Sequence, residues 1–236
     1  SGTESLLRNH IAFSLRKTLY ICIMIYKQET AQETARLLLQ INAIKLNPTN
    51  PFTWASGWKS PIYCDNRKVL SYPDVRTRIL QFFVEAIREK FPDAEVISGV
   101  ATAGIPMGML IAQELNLPFI YVRSSAKDHG LQNQIEGVLK AGQKVVVIED
   151  LVSTGGSSLK AVEAVRASEG IVLGMAAIFS YAFPHAEKSF ADANCTLYTL
   201  GDYPNLIDAA LAQGTIGQEQ VELLGKWREA PDVWGK

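Results

Sequence analysis

Two acidic side chains beside a run of small residues form the stretch of the sequence that most clearly suggests chemistry. Glu149 and Asp150 follow the apolar run 145–148, and the small residues that come soon afterwards are Ser153, Thr154, Gly155, Gly156 and Ser157. Unpaired amide groups at the start of a helix favour an anion, and glycine lets the backbone approach it closely. We therefore interpret residues 153–157 as a phosphate-binding loop.

The acidic pair needs a different ligand, because two carboxylates repel a phosphate and repel each other. A metal or a polyol would explain the pair. Ribose hydroxyls donate hydrogen bonds to carboxylates, so Glu149-Asp150 followed by a phosphate loop describes a site for a ribose 5-phosphate. The alternative is an ordinary strand-to-helix turn with capping serines. Neither a Walker loop nor the glycine fingerprint of dinucleotide-binding folds is present.

The elements around this stretch must place it at the edge of a sheet. The β-branched run Val145 to Ile148 predicts a strand that is buried on both faces and lies in the middle of a parallel sheet. We expect Glu149 and Asp150 to end that strand, where α/β sheets open into their ligand-binding crevice. A helix is predicted from near Ser158.

The stretch Val145 to Ser157 resembles the signature of the type I phosphoribosyltransferases. The resemblance implies that the chain binds 5-phosphoribosyl 1-diphosphate (PRPP), with Mg²⁺ bound mainly through PRPP and no dedicated metal ligands. It also implies the type I fold, a central parallel sheet flanked by helices with a small N-terminal hood.

Composition is that of a globular domain, with 236 residues, 47% of them hydrophobic and 20% charged. A net charge of -1 argues against a nucleic-acid partner. The apolar run Leu19 to Tyr26 is too short to span a membrane. Cys22, Cys64 and Cys195 lack metal-binding spacing, which favours free thiols and a cytoplasmic location.

The domain organisation expected from the sequence is simple. Residues 1–23 are an N-terminal extension of doubtful role, with Ser1-Gly2 like a cloning remnant, and 24–236 form one phosphoribosyltransferase domain. Alternating strand and helix patterns predict an α/β domain with right-handed crossovers. Residues 197–200 are expected to form an edge strand of its sheet, and residues 203–213 and 218–228 amphipathic helices.

The aromatic segment 47–66 can be interpreted in two ways. Taken alone, it predicts a loop with short strands over the edge of the core. It also has the parts to hold a flat anionic ring, with Tyr63 to lie against the ring and Lys59 and Arg67 to meet its charge. Phe52-Thr-x-x-Ser-Gly-x-Lys-Ser-Pro and Tyr63-x-Asp-x-Arg67 are similar to the hood of the orotate phosphoribosyltransferases. That resemblance implies a hood at about 43–70 and orotate bound by Ser153, Lys59 and Tyr63.

The polar stretch 124–137 has neither helical nor strand periodicity, and a loop this long inside a compact domain is usually functional or disordered. Lys127-Asp-His-Gly resembles the core of the family's lid, which implies a lid at about 124–137. A cation that closes over a departing diphosphate stabilises the transition state more than the ground state. The resemblance assigns catalysis to Lys127, Asp128 and His129, although a single loop histidine is more often only solvated.

Further expectations rest on the resemblance. The resemblance implies a homodimer with lid residues shared across the interface, and neither a membrane nor a nucleic-acid partner is expected. Ala55, Ala103, Ser124 and Tyr181 depart from the cations of other branches, so no orotate contact is assigned to them. The residues expected to bind PRPP are Arg123, Lys127, His129, Glu149, Asp150, Leu151, Val152, Ser153, Thr154, Gly155, Gly156 and Ser157.

Rival functions remain open at this level. The same chemistry could act on a purine or on another pyrimidine base. The chain could also be a non-catalytic regulator that binds PRPP, although the lid motif and the absence of a basic excess argue against it. A dehydrogenase is more remote, because the glycine fingerprint is missing.

Overall fold

A seven-stranded sheet runs through the part of the chain that the computed structural model describes, residues 22–125 and 134–235. Its order is β1-β11-β10-β9-β6-β7-β8, and every pair is parallel except β7 with β8. The strands are β1 Ile23–Ile25, β6 Val96–Val100, β7 Phe119–Val122, β8 Ile135–Glu136, β9 Lys144–Val152, β10 Ile171–Ser180 and β11 Leu197–Asp202. The predicted α/β class with a central, mostly parallel sheet is confirmed.

Helices cover both faces of this sheet. They are α1 Gln28–Gln40, α2 Pro73–Lys90, α3 Gly104–Leu115, α4 Gly156–Ala167, α5 Pro184–Asp192, α6 Tyr203–Ala212 and α7 Gln218–Glu229. Alternate residues of β9 serve the two layers, because successive side chains of a strand point to opposite faces. Val146 and Ile148 pack in the larger core with α1, α2, α3, α6 and α7, whereas Val145 and Val147 pack in the smaller core with α4 and α5. The predicted two-sided burial of this strand is confirmed.

The acidic pair does not end β9, and that prediction is wrong. The strand continues to Val152, since β10 is long enough to pair Glu149 with Ala177 and Val152 with Ser180. Glu149 and Asp150 therefore lie within β9, two or three residues before its end. The strand's backbone hydrogen bonds fix the direction in which both carboxylates leave it.

The predicted edge position of residues 197–200 is also wrong, because β11 lies between β10 and β1. The edge strand on this side is β1, whose Ile23 pairs with Leu197. It begins one residue before the expected domain start at 24. The Glu187 carboxylate of α5 accepts hydrogen bonds from the backbone N–H groups of Cys22 and Ile23, which fixes the start of the strand.

A small hood precedes α2. It contains two antiparallel pairs, β2 Ile44–Leu46 with β5 Ile62–Cys64 and β3 Phe52–Thr53 with β4 Lys59–Ser60, followed by a 3-10 helix, Asn66–Ser71. The hood rests on the fully buried Trp227 of α7, whose ring centroid lies 5.6 Å from that of Trp54. Tyr181, just beyond β10, lies 5.4 Å from Trp54 in the same cluster. These aromatic contacts hold the hood over the carboxyl ends of the strands.

The close approach of α3 to β9 generates a stability prediction. A Cβ at Gly104 would lie 2.4 Å from the carbonyl oxygen of Ile148, so Gly104→Ala must push backbone against backbone. We expect it to lower the free energy of unfolding by about 1–3 kcal/mol, measured by urea denaturation. Gly225→Ala in α7 is the control, because nothing lies within 4 Å of its Cβ position and alanine favours a helix by up to about 1 kcal/mol. Equal stability of the two variants would contradict the close approach.

Candidate active site

The carboxylate of Glu149 is buried, with 6% of the residue exposed, and it is held from two directions. The Ser158 hydroxyl donates to Glu149 Oε2 at 2.9 Å, and the backbone N–H of Asp150 donates to Oε1 at 3.0 Å. Ser158 is itself buried in the first turns of α4. The sequence indicated Ser158 only as the start of a helix, so its role in orienting Glu149 was missed.

Burial also changes the proton affinity of the acidic pair. Loss of hydration raises the pKa of Glu149 to about 8, and the neighbouring charge of Asp150 acts in the same direction. Burial raises the pKa of Asp150 as well, although the nearby Arg67 guanidinium works against that rise. A desolvated pair of adjacent carboxyl groups resists carrying two negative charges. A ligand that donates hydrogen bonds or brings positive charge would relieve this cost.

The predicted phosphate loop lies between β9 and α4. Gly155 is the N-cap of α4 with φ +88°, and a Cβ there would come 2.8 Å from the Phe190 ring, so this position requires glycine. No side chain caps α4 within the described structure, which leaves its first amides available to an anion. Thr154, Gly156 and Ser157 are exposed, whereas Ser153 is half-buried.

Two residues expected to bind PRPP can do so only through their backbone. Val152 is fully buried in the smaller core, and Leu151 packs against the larger core. Their side chains therefore serve the fold. The sequence could not separate these roles, because both residues lie inside the motif that carries the resemblance.

A second loop lies next to the acidic pair. It leaves β6 at Ala101, has a cis peptide bond between Ala101 and Thr102, and enters α3 at Gly104. A Cβ at Gly104 would lie 3.6 Å from the Cα of Glu149. The loops after β6 and β9 therefore flank the carboxylates, as neighbouring parallel strands require.

Arg123 follows β7 on the side of the sheet that α4 covers. Its Nη1 lies 3.7 Å from Glu136 Oε1, and the Arg123 backbone N–H donates to the Gln134 carbonyl at 2.8 Å. Arg123, Ser157 and Lys160 line a common cavity of about 130 Å³. The sequence did not single out Lys160, although its spacing of three from Ser157 puts both on one side of α4. Lys127, Asp128 and His129 lie outside the described residues.

Asn66 connects the hood to the acidic pair. It is 2% exposed, and its side-chain amide donates to the backbone carbonyl of Asp150 at 2.8 Å. The Cys64 thiol donates to the Asn66 side-chain oxygen at 3.2 Å. The hydrogen bond to Asp150 spans 84 residues of sequence. No local pattern indicated it.

The residues predicted to bind orotate lie on separate elements. Tyr63 on β5 is 42% exposed and packs 5.8 Å from Phe52 between ring centroids. Lys59 on β4 donates to the Thr53 hydroxyl at 2.8 Å, and Ser153 lies on the phosphate loop. Their assignment to orotate stays a prediction.

A cavity of about 390 Å³, the hood cleft, lies between the hood, the phosphate loop and α7. It is defined here by Trp58, Thr154, Phe183 and Arg228, which line it together with residues at the start of α5 and in the chain after α7. The volume is in the range of small-molecule sites.

Known proteins share this chain's sequence over most of its length. The phosphoribosyl transferase domain matches residues 72–199. Over 201 residues the chain is 57% identical to the orotate phosphoribosyltransferase of Porphyromonas gingivalis. The aligned region covers 85% of this chain and 96% of that protein. The chain belongs to the orotate phosphoribosyltransferase family.

Solved structures agree on the fold. The orotate phosphoribosyltransferase from Aeropyrum pernix matches with a TM-score of 0.67 and 26% identity, over 78% of this chain and 99% of that one. UMP synthase from Leishmania donovani matches with a TM-score of 0.69 and 27% identity, over 84% of this chain. The match covers 42% of the UMP synthase chain, so the present chain corresponds to less than half of that protein.

Metal ligands are sparse in residues 22–125 and 134–235. No group of three or more His, Cys, Asp or Glu side chains there could hold a metal ion. The two carboxylates nevertheless fit Mg²⁺, which takes one or two carboxylates together with substrate phosphates. None of the helices in the same residues could cross a membrane.

The buried carboxyl group of Glu149 predicts a pH-dependent stability. Its pKa is raised from 4.5 to about 8 in the fold, so its contribution is most favourable below about pH 4.5 and is lost as the pH rises through 8. Glu149→Gln keeps an acceptor for the Asp150 amide and removes the charge. We expect its melting temperature to exceed that of the wild type by several degrees at pH 9, at about 2–4 °C per kcal/mol.

At pH 5 the advantage of Glu149→Gln should be much smaller. Glu163→Gln, on the exposed side of α4, is the control and should change the melting temperature equally at both pH values. A difference between Glu149→Gln and wild type that does not grow with pH would show that Glu149 is not held in its neutral form.

Proposed function

We propose that the chain transfers ribose 5-phosphate from PRPP to orotate, giving orotidine 5′-monophosphate and diphosphate, a pentosyltransferase step of pyrimidine (UMP) biosynthesis. The observation that carries the proposal is the acidic pair of buried Glu149 and half-buried Asp150, which lies on the strand that leads through the phosphate loop to the uncapped N-terminus of α4. The chain is 57% identical to a protein named orotate phosphoribosyltransferase, and this similarity supports orotate as the base.

Binding of PRPP follows from the charges of the site. Glu149 and Asp150 accept hydrogen bonds from the ribose hydroxyls, which are neutral donors and suit carboxyl groups that resist full ionisation. The loop 153–157 receives the 5′-phosphate through its amides and hydroxyls. Ser158 fixes the direction of the Glu149 carboxylate before the substrate arrives.

The reaction breaks the bond between the ribose anomeric carbon and diphosphate and forms a bond from that carbon to the ring nitrogen of orotate, whose proton is lost. Positive charge develops on the sugar and negative charge on the leaving group, so catalysis depends on the placement of charges. Arg123, Lys127 and His129 meet the diphosphate, and Asp128 belongs to the same lid core. Closure of residues 124–137 excludes water that would hydrolyse the activated sugar.

Mg²⁺ bound to PRPP would neutralise the leaving diphosphate. The ion would be held mainly by the oxygens of PRPP, which suit a hard cation, while Glu149 and Asp150 hold the ribose hydroxyls. The partners implied by this proposal are PRPP, orotate and a second copy of the chain that shares lid residues. The free thiols of Cys22, Cys64 and Cys195 support a cytoplasmic location.

A direct assay tests the reaction. We expect orotate absorbance to fall only when PRPP and Mg²⁺ are both present, and uracil, adenine and hypoxanthine to react much more slowly. Asp150→Asn should lower kcat/KM by about 100-fold or more, because it removes a charge next to the developing cation. Glu163→Gln should retain wild-type activity. Turnover of a purine without turnover of orotate would show that the base is wrong.

Subunit mixing tests the shared lid. Lys127→Ala and Asp150→Asn should each be nearly inactive alone. After dissociation and random reassociation of an equal mixture, half of the dimers carry one site in which both residues are native, so about 25% of wild-type activity should return. Mixing either variant with itself is the control. No recovery in a verified mixed dimer would overturn the shared site.

A further inference from the structure

We propose that Arg228 binds the carboxylate of the base and that the base lies in the hood cleft; this rests on the proposed function and adds a specificity residue to it. Orotate is a flat ring with a carboxylate at its edge. Recognition of such a ligand needs aromatic or apolar walls for the ring and a cation with directed donors for the carboxylate.

The hood cleft supplies the walls. Trp58 of the hood lies at one side, in a stack with Trp54 at 6.4 Å between centroids, and Phe183 lies beyond the end of β10. The volume of about 390 Å³ is sufficient for a single pyrimidine ring. Thr154 of the phosphate loop also lines the cleft, so a ring bound there is next to the site that the sugar phosphate occupies.

Arg228 supplies the directed donors. One of its nitrogens, Nη1, makes a long hydrogen bond of 3.4 Å to the Ala182 carbonyl, and the side chain is half-buried beside the cleft. Arg67 and Lys59 of the hood do not line the cleft, and both have partners within the hood: Arg67 pairs with Asp65 at 2.7 Å and Lys59 donates to Thr53 at 2.8 Å. The proposal therefore assigns the carboxylate to Arg228 in place of Lys59. The planar guanidinium fits a carboxylate with two parallel hydrogen bonds.

Trp227, the residue before Arg228, restricts the positions that the Arg228 side chain can occupy. Trp227 is fully buried, with ring centroids 5.8 Å from Tyr181 and 5.5 Å from Phe183. This packing immobilises the end of α7 against the loop after β10. Tyr181 is a buried, uncharged aromatic residue. The positive charge on this side of the cleft therefore comes from Arg228 of α7.

Glu229 and Asp232 also line the cleft, and His185 lies at its edge. All three are exposed, whereas Arg228 is half-buried. Exposed charges are screened by water and salt more strongly than partly buried ones. Arg228 is therefore the charged residue of the cleft that water and salt screen least.

Two nucleotides that differ only in the carboxylate provide the test. Calorimetry should show that the wild type binds orotidine 5′-monophosphate more tightly than uridine 5′-monophosphate. Arg228→Gln should weaken the first by about 10-fold or more and leave the second within about twofold, because a charge-assisted hydrogen bond is lost only with the carboxylate. Arg228→Lys, which keeps the charge and loses the planar fork, should lie between.

Kinetics give an independent result. Arg228→Gln should raise the KM for orotate by about 10-fold or more and leave the KM for PRPP within about twofold. Lys226→Gln is the matched control, because Lys226 lies on the same helix, is exposed and pairs with Glu222 at 2.7 Å. It should change neither constant.

The outcomes separate the two proposals. Equal weakening of both nucleotides by Arg228→Gln would assign Arg228 a structural role and overturn the inference, as would unchanged binding of both. A wild type that binds both nucleotides equally would place the carboxylate outside the cleft. Absence of orotate turnover by the wild type would instead overturn the proposed function.

Discussion

Desolvation of two adjacent carboxyl groups near the end of the central strand is the constraint on which the rest of the site depends. In water each group would ionise well below neutral pH, but here the lost hydration raises the pKa of both. The surroundings offset that cost through Ser158 and the Asp150 amide, which bind the Glu149 oxygens without adding positive charge. The pair is thus held in position with its charge incompletely compensated. A ligand with hydroxyl donors and an accompanying cation complements that state.

The hood connects the acidic pair to the aromatic residues on the other side of the site. Isolated two-stranded ribbons are at best marginally stable, so β2–β5 and β3–β4 depend on what they pack against. Two attachments carry them. Trp54 packs on Trp227 and Tyr181, and Asn66 donates to the carbonyl of Asp150. The second attachment ends on the backbone of Asp150, so it fixes the hood directly to the acidic pair.

The sequence predicted what local chemistry determines and missed what distant partners determine. The β-branched run of β9 and the glycines of the phosphate loop were sufficient to predict the buried strand and the helix start. The true end of β9 depends on the length of β10, and the interior position of β11 depends on the three-residue β1. Ser158 acts on a residue nine positions away and Asn66 on one 84 positions away, so no local pattern contains their roles.

The arrangement of cations shows why composition says little about the substrate. The chain carries a net charge of -1, yet both of its proposed substrates, PRPP and orotate, are anionic. Local placement resolves the contradiction, since Arg123 and Lys160 line a cavity on one side of the phosphate loop and Arg228 lines the hood cleft on the other. The acidic pair, on β9, leads directly into the loop between them. Negative charge is thereby favoured at the ends of the bound substrates and positive charge at the sugar, which is the polarity that breaking an anomeric carbon–diphosphate bond requires.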